Sequence, residues 1–423
     1  KPCCFKHEWQ FGFSEATFFM AEREGRASVD QRRHQSDWFI DLFGFHEAGN
    51  DGMQYRDVQR RLTVRPMDGS PDPKLTLEGE NGRIYQVGRF STPSLRQLAA
   101  DMAEVQLGLR ALSGSLCVKN IVGDVSSVHA DPENRYATFQ VASQFNCLEA
   151  VGPDMVPEFG VTNYVYDKTQ GPACSIACGP ATVFRNYFAS VNGKVGQRAH
   201  RQIDNLQALR RQLCGDQAGD EDFFQVVGGY TLATDAGLRN MNAKLASLTA
   251  SERRLLIEEL CVGVHQDVQV TSSSWGQHQV HDDGQLVTQV LGSACAVTYS
   301  GNAKELWEPF ARLVLEASYE ATFRVAMLTA LRHNSKAGSN RLILTCLGGG
   351  AFGNHLDWIV DAMEAAMRKF KRVNLEVFIV TYGEHVPAQL KRLEEIFEDP
   401  SEEPSSKPSK QSRCIFPFCG SFL

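Results

Sequence analysis

The chain has 423 residues, 43% of them hydrophobic and 22% charged, and a formal net charge of −7. This length and apolar content predict one large domain with insertions or two ordinary ones, each with its own buried core. An acidic chain without a basic stripe argues against a general nucleic-acid or membrane-surface binder, and no apolar run reaches the ~18 residues of a membrane span. Twelve scattered cysteines with no CxxC pair read as buried thiols of a reducing compartment. With no signal-peptide pattern visible after Lys1, a cytoplasmic location is expected.

In chain order, residues 1 to about 60 read as mostly helical, through the amphipathic stretches Phe13–Arg26 and Ser36–Phe43. Three short antiparallel strands are predicted at "RRLTV", "KLTLEG" and "IYQVGRF", separated by Pro/Asp/Gly turns. A helix is predicted over Ser94–Arg110, a core strand over Tyr136–Ser143, and a helix over Pro172–Phe188 with proline in its first turn. Thr249 and Glu252 form a capping-box pair ahead of another helix. Strands follow at "DVQVTSS" and "LVTQVLGSACAVTYSG", then a long helix over Trp307–Arg332. The alternation of strands and helices from about residue 136 predicts a mixed or mostly parallel sheet with helices on both faces. Residues 399–423, rich in Pro, Ser and charge, are expected to be disordered.

The most informative stretch is "RLILTCLGGGAFGNHLDWIVDAMEAAMRKF", Arg341–Phe370. An apolar run, Leu342–Leu347, reads as a strand buried on both faces. Leu356, Ile359, Val360, Met363, Met367 and Phe370 then recur at helical spacing, with Asn354 as the expected cap and a second buried strand at Leu375–Tyr382. Between them stand four glycines in six positions, Gly348, Gly349, Gly350 and Gly353. A glycine loop at the carboxyl end of a strand and the amino end of a helix offers free backbone N–H groups to a phosphate. It matches neither the P-loop nor the dinucleotide fingerprint, and its plainer reading is a tight strand-to-helix turn.

A second loop follows the core strand. It carries Asn146, Glu149, Asp154, Glu158, Asp167 and Gln170 before Gly171-Pro172 opens a helix. Two helix amino ends meeting at one rim would cradle a diphosphate. Asp167 stands out because it directly precedes the second helix.

"LTCLGGGAFGN" resembles the second ligand loop of macrodomains, above all the branch that looks like poly(ADP-ribose) glycohydrolase, and "FQVAS" followed by Asn146 resembles the macrodomain strand whose Asn contacts ribose. The resemblance covers roughly residues 85 to 395, with an insertion near 190–285. More narrowly it is similar to the Legionella effector type that strips ADP-ribose from ubiquitin arginine. It implies a macrodomain-like three-layer α/β/α fold with a mixed central sheet, divided as an extension over 1–85, a catalytic domain over 86–398 and the tail. It also implies an ADP-ribose pocket made by Asn146, Gln170, Gly171, Ser293, Gly348, Gly349, Gly350, Ala351, Phe352, Gly353 and Asn354. The first loop lacks the usual run of three glycines and the adjacent glutamate pair of the glycohydrolases proper. Removal of one ADP-ribose from a protein side chain, arginine being a candidate, therefore fits better than chain cleavage. Its chemistry needs a carboxylate near the anomeric carbon, and Asp167 first and Glu158 second are the expected catalytic residues. The alternative is a module that reads ADP-ribose without cleaving it. The expected partner is ADP-ribose or an ADP-ribosylated protein, possible ubiquitin included, with neither a cofactor nor a metal. "HQVHDD", with His278, His281, Asp282 and Asp283, reads as a solvated hairpin turn rather than a metal site, and the acidic stretch Arg210–Phe224 as a solvated surface.

Overall fold

The structure is a computed structural model that describes residues 37–397 except 48–51, 68, 70–72, 216–222 and 335. The helix expected over Phe13–Arg26, the tail and residues 216–222 of the acidic stretch lie outside the described residues. The principal elements are α1 (Trp38–Phe43), α2 (Gly52–Arg61), β1 (Thr63–Pro66), β2 (Leu75–Glu78), β3 (Ile84–Ser91), α3 (Leu95–Glu104), β4 (Cys117–Val122), α4 (Val125–Ala130), β5 (Thr138–Ala142), α5 (Gln170–Ala177) and α6 (Gly179–Tyr187). They continue with α7 (Gln207–Cys214), α8 (Asp235–Ser247), α9 (Ala250–Glu258), β6 (Gly263–Gln269), β7 (Leu286–Gly292), α10 (Lys304–Arg332), β8 (Arg341–Leu344), α11 (Leu356–Lys369), β9 (Glu376–Thr381) and α12 (Ala388–Ile396).

Nine of these strands form one sheet in the order β1-β2-β3-β6-β7-β5-β8-β9-β4. Pairing is parallel from β7 through β4 and antiparallel from β1 through β7. β6 lies within the span read as an insertion, yet it is a strand of this sheet between β3 and β7. The apolar strands owe their burial to helices on both faces. Leu342 and Leu344 of β8 point into the core under α10 and α11, while Ile343 joins Phe139 and Val141 of β5 in the core under α4 and α5. The expected three-layer α/β/α class with a mixed central sheet is the one the chain adopts.

Two expected elements are altered by local chemistry. The single helix over Pro172–Phe188 is broken at Cys178 (φ −114°, ψ 57°), because Gly179-Pro180 follows and proline has no N–H to continue the ladder. The strand expected from Asp267 instead begins at Gly263, and its register shifts between His265 and Val268, where Asp267 takes φ +56°. No described helix is long and apolar enough to cross a membrane.

Because β4, β5, β7, β8 and β9 run parallel, their carboxyl ends share one edge. The segments after them gather there, the crevice in which open α/β sheets place ligands.

Candidate functional site

The glycine loop is built by contacts only glycine permits. Gly348 has φ +70°, and a Cβ there would lie 2.5 Å from the Ala294 Cβ and 2.6 Å from Asn354 Nδ2. Gly353 has φ +71°, with Thr298 Cγ2 2.3 Å from where its Cβ would stand. Asn354 closes the loop: its backbone N–H donates to the Gly348 carbonyl (2.9 Å) and its Nδ2 to the Cys295 carbonyl (2.8 Å). It is not the helix cap expected from the sequence. His355 holds the cap position of α11 and makes no side-chain capping bond, because the Asn354 side chain is buried in the loop. The N–H groups of Gly349 and Gly353 donate to Cys346 and Gly350 carbonyls. Those of Gly350, Ala351 and Phe352 donate to nothing among the described residues, and Gly350 and Ala351 are exposed. The result is an open array of donors leading into α11, which suits an anion.

The segment after β7 packs beneath it. Ser293 is buried, its Oγ donating to the Ala294 carbonyl (3.3 Å) while its own carbonyl accepts from Ser318 Oγ (3.2 Å). Thr298 Oγ1 donates to the Ala351 carbonyl (2.7 Å). Tyr299 then meets two other rings. Its centroid lies 4.9 Å from Tyr230 and 5.6 Å from Phe352, and Tyr230 lies 5.2 Å from Phe352. Three segments far apart in the chain thus build one aromatic wall beside the glycine loop.

The first loop supplies carboxyl groups. Asn146 is buried with both ends of its amide engaged: Nδ2 donates to Gln202 Oε1 (2.8 Å) and the Gly228 carbonyl (3.0 Å), and Oδ1 accepts from Leu148 N–H (3.0 Å). It ties this loop to the inserted segment. Cys147 takes φ +62°, and the turn carries Glu149 inward until it is only 5% exposed. Glu149 Oε1 has no hydrogen-bond partner, and Oε2 occupies the space of a Gly171 side chain, 2.3 Å from where its Cβ would be. Burial drives this carboxyl well above the ordinary range, and the charge of Asp167 pushes the same way. Fully buried Arg185 opposes them; its Nε donates to the Cys147 carbonyl (3.1 Å). Asp167 follows a 3-10 turn over Thr162–Tyr166 and accepts Thr169 N–H on Oδ1 (3.1 Å) at the entrance to α5. Its charge is also felt, after burial, by the Tyr230 and Tyr299 hydroxyls. The Tyr230 hydroxyl donates to the carbonyl of Ala150, next to Glu149, so the aromatic wall lies beside this carboxyl-bearing segment.

The structure places Glu158 elsewhere. Its Oε2 accepts from Ala199 N–H (2.9 Å), Arg198 lies 3.9 Å from Oε1, and its charge is felt by Tyr55. Gln170 accepts Val125 N–H (3.1 Å), joining the starts of α4 and α5. Around them lie further side chains. Asp124 Oδ2 accepts from Trp275 Nε1 (2.8 Å), and Lys168 Nζ stands 4.6 Å from the Trp275 ring centre. Tyr382, 62% exposed, follows β9 beside Val122 of β4. Glu149 had a weak signal, a lone carboxylate between Leu148 and Ala150. Tyr230 had none, because its neighbours lie 69 and 122 positions onward. His278, His281, Asp282 and Asp283 form no metal-holding group among the described residues; Asp282 pairs with Arg135 and Asp283 accepts from Gln269 Nε2 (3.0 Å).

No family model and no curated protein matches the chain. Solved structures that superpose on it include poly(ADP-ribose) glycohydrolase from Deinococcus radiodurans in complex with ADP-ribose, at 14% identity and TM-score 0.37 over 72% of this chain and 92% of that one. The apo form of that protein superposes at 13% identity and TM-score 0.35, over 74% and 94%. Poly(ADP-ribose) glycohydrolase from Thermomonospora curvata bound to the inhibitor ADP-HPD gives 12% identity and TM-score 0.35, over 75% and 91%. Similarity at this level says nothing of activity in this chain.

Proposed function

We propose that the chain is an ADP-ribosylhydrolase that removes single ADP-ribose units from a protein side chain. One observation supports this reading: unpaired amides of the glycine loop lead to Phe352, whose ring meets Tyr230, and the Tyr230 hydroxyl bonds beside Glu149 at the carboxyl edge of the sheet. The Gly350, Ala351 and Phe352 amides receive the diphosphate. The wall of Phe352, Tyr230 and Tyr299 holds the ribose against the carboxyl groups. Exposed Tyr382 offers a face on which the base stacks.

In hydrolysis, the bond between the anomeric carbon and the acceptor nitrogen or oxygen breaks. A water oxygen bonds to that carbon, and the water proton ends on the departing side chain. Asp167 orients the water and stabilises the positive charge developing on the sugar. Glu149, whose pKa burial raises well above the ordinary carboxylate range, suits the role of second carboxyl group better than Glu158, which is engaged by Ala199 N–H. A carboxylate such as Asp167 can hold a guanidinium in bidentate fashion, so arginine is the acceptor proposed, with ubiquitin as a candidate carrier. The reader alternative draws support from the Asp167 side chain, which already caps the turn into α5.

Calorimetric titration with ADP-ribose, with AMP as control, tests the site. Gly350→Glu places a carboxylate in open space among the amides and is expected to abolish binding in a folded protein. Asp167→Ala is expected to keep binding within about threefold and to lose release from arginine-modified protein by about a hundredfold or more. Binding without any release by the unaltered chain would establish the reader alternative.

A further inference from the structure

The segment that delivers Asp167 has little regular structure of its own. Between Ala150 and Gln170 it makes only two 3-10 turns, Pro157–Phe159 and Thr162–Tyr166. Its backbone donors must find partners elsewhere. Glu47, from the segment after α1, supplies them. Glu47 Oε2 accepts from Val161 N–H (2.8 Å), Thr162 N–H (2.6 Å) and Thr162 Oγ1 (2.6 Å), while Oε1 accepts from the Tyr187 hydroxyl of α6 (2.6 Å). Gly160, at φ +79°, leaves room for this carboxylate, whose carbon lies 2.4 Å from where a Cβ would be. Trp38 of α1 adds a bond from Nε1 to the Thr162 carbonyl (3.1 Å). One 3-10 turn later the Asp167 N–H donates to the Tyr164 carbonyl (3.1 Å), and the Tyr164 hydroxyl bonds to the backbone of Glu149.

We propose that Glu47 is a positioning residue for Asp167, so that the N-terminal segment forms part of the catalytic apparatus although it touches no substrate. The assignment rests on Asp167 being the catalytic carboxylate. Four donors converge on Glu47 at the root of the turn that ends in Asp167, and no other side chain accepts the Val161 and Thr162 amides among the described residues. Releasing them frees the turn while leaving the glycine loop, on a different strand, in place. Catalysis then falls much further than ligand affinity, since reacting groups displaced by about 1 Å lose roughly a hundredfold in rate.

The test compares full-length Glu47→Ala and Glu47→Gln with the unaltered chain by hydrogen exchange over residues 157–167, calorimetric affinity for ADP-ribose, and single-turnover release. Glutamine keeps an oxygen for the two amides, and the Tyr187 hydroxyl can rotate to accept from its NH2 group. Glu47→Ala is expected to exchange faster in this segment and release about tenfold to a hundredfold more slowly, with affinity changed less than about threefold. Glu47→Gln is expected to restore all three. Release by Glu47→Ala at the unaltered rate, or affinity and rate falling together without rescue by glutamine, overturns the proposal. If Glu47→Ala does not fold, Trp38→Phe removes the bond to Thr162 together with part of a buried ring, and its exchange over residues 157–167 is read in the same way. An unaltered chain that binds no ADP-ribose overturns the functional reading and the role of Asp167 with it. Unchanged exchange in Glu47→Ala overturns the clamp alone.

Discussion

Glu149 has a carboxyl oxygen with no partner inside a wall of protein, and such a group holds its proton far better than one in water. The unfolded chain would titrate it near about 4.3, whereas the folded chain titrates it well above that. Between those values the native state carries a proton that the unfolded state has lost. Its contribution to stability is therefore full below the unfolded value and declines as pH rises through the folded one. Glu149→Gln removes the ionisable proton while keeping the shape. The variant is expected to gain stability over the unaltered chain at pH 7–8 and to show no gain at pH 4, as read by denaturant melts. Under the proposed function it also loses release activity. Equal pH dependence in the two proteins would mean that Glu149 is ionised in the native state.

At the scale of elements, α9, α10 and α11 are locked by one acid. Glu320 of α10 is 4% exposed and receives Arg254 of α9 (2.7 and 2.9 Å), Arg324 one turn along (2.7 Å) and Lys369 of α11 (2.6 Å). Burial raises its pKa, but these cations outweigh burial and hold it down at about 2. The shift is opposite to that of Glu149, and so is the sign: the stabilisation is present above the unfolded value near about 4.3 and lost as pH falls towards 2. Glu320→Gln is expected to cost about 1–3 kcal/mol at pH 7, less than a fully enclosed ion pair because Arg254 and Lys369 remain partly in water. The loss should shrink on acidification below about pH 3. The capping box of α9 was legible beforehand, since both Thr249–Glu252 bonds form within four residues. The Glu320 lock was not, because its partners lie 66 positions before and 49 after it.

For the whole molecule, the loops after the parallel strands share one edge, and all rest on one nine-stranded sheet. A ligand spanning that edge stabilises the entire cooperative unit. ADP-ribose at a hundred times its Kd is expected to raise unfolding free energy by about 2.7 kcal/mol, read as an increase in Tm. AMP, lacking the diphosphate and second ribose, should give less at the same concentration, and Gly350→Glu should give none. A full shift in Gly350→Glu would place the ligand away from the loop amides.

The sequence by itself determined the elements whose causes are local. The apolar run Leu342–Leu347, the four glycines and the helical spacing from Leu356 announce strand, loop and helix, because each depends on neighbours within a few residues, although the strand itself ends at Leu344. The same patterning identified the three-layer class and the crevice in which the glycine loop lies. Which distant groups meet was settled by packing alone. Glycine at 171 makes room for Glu149, Tyr230 reaches Phe352 from the inserted segment, and Glu47 holds the turn before Asp167 from 114 positions away. Such pairings depend on strand order and helix packing, which bring distant side chains within a few ångströms and leave no periodic trace along the chain.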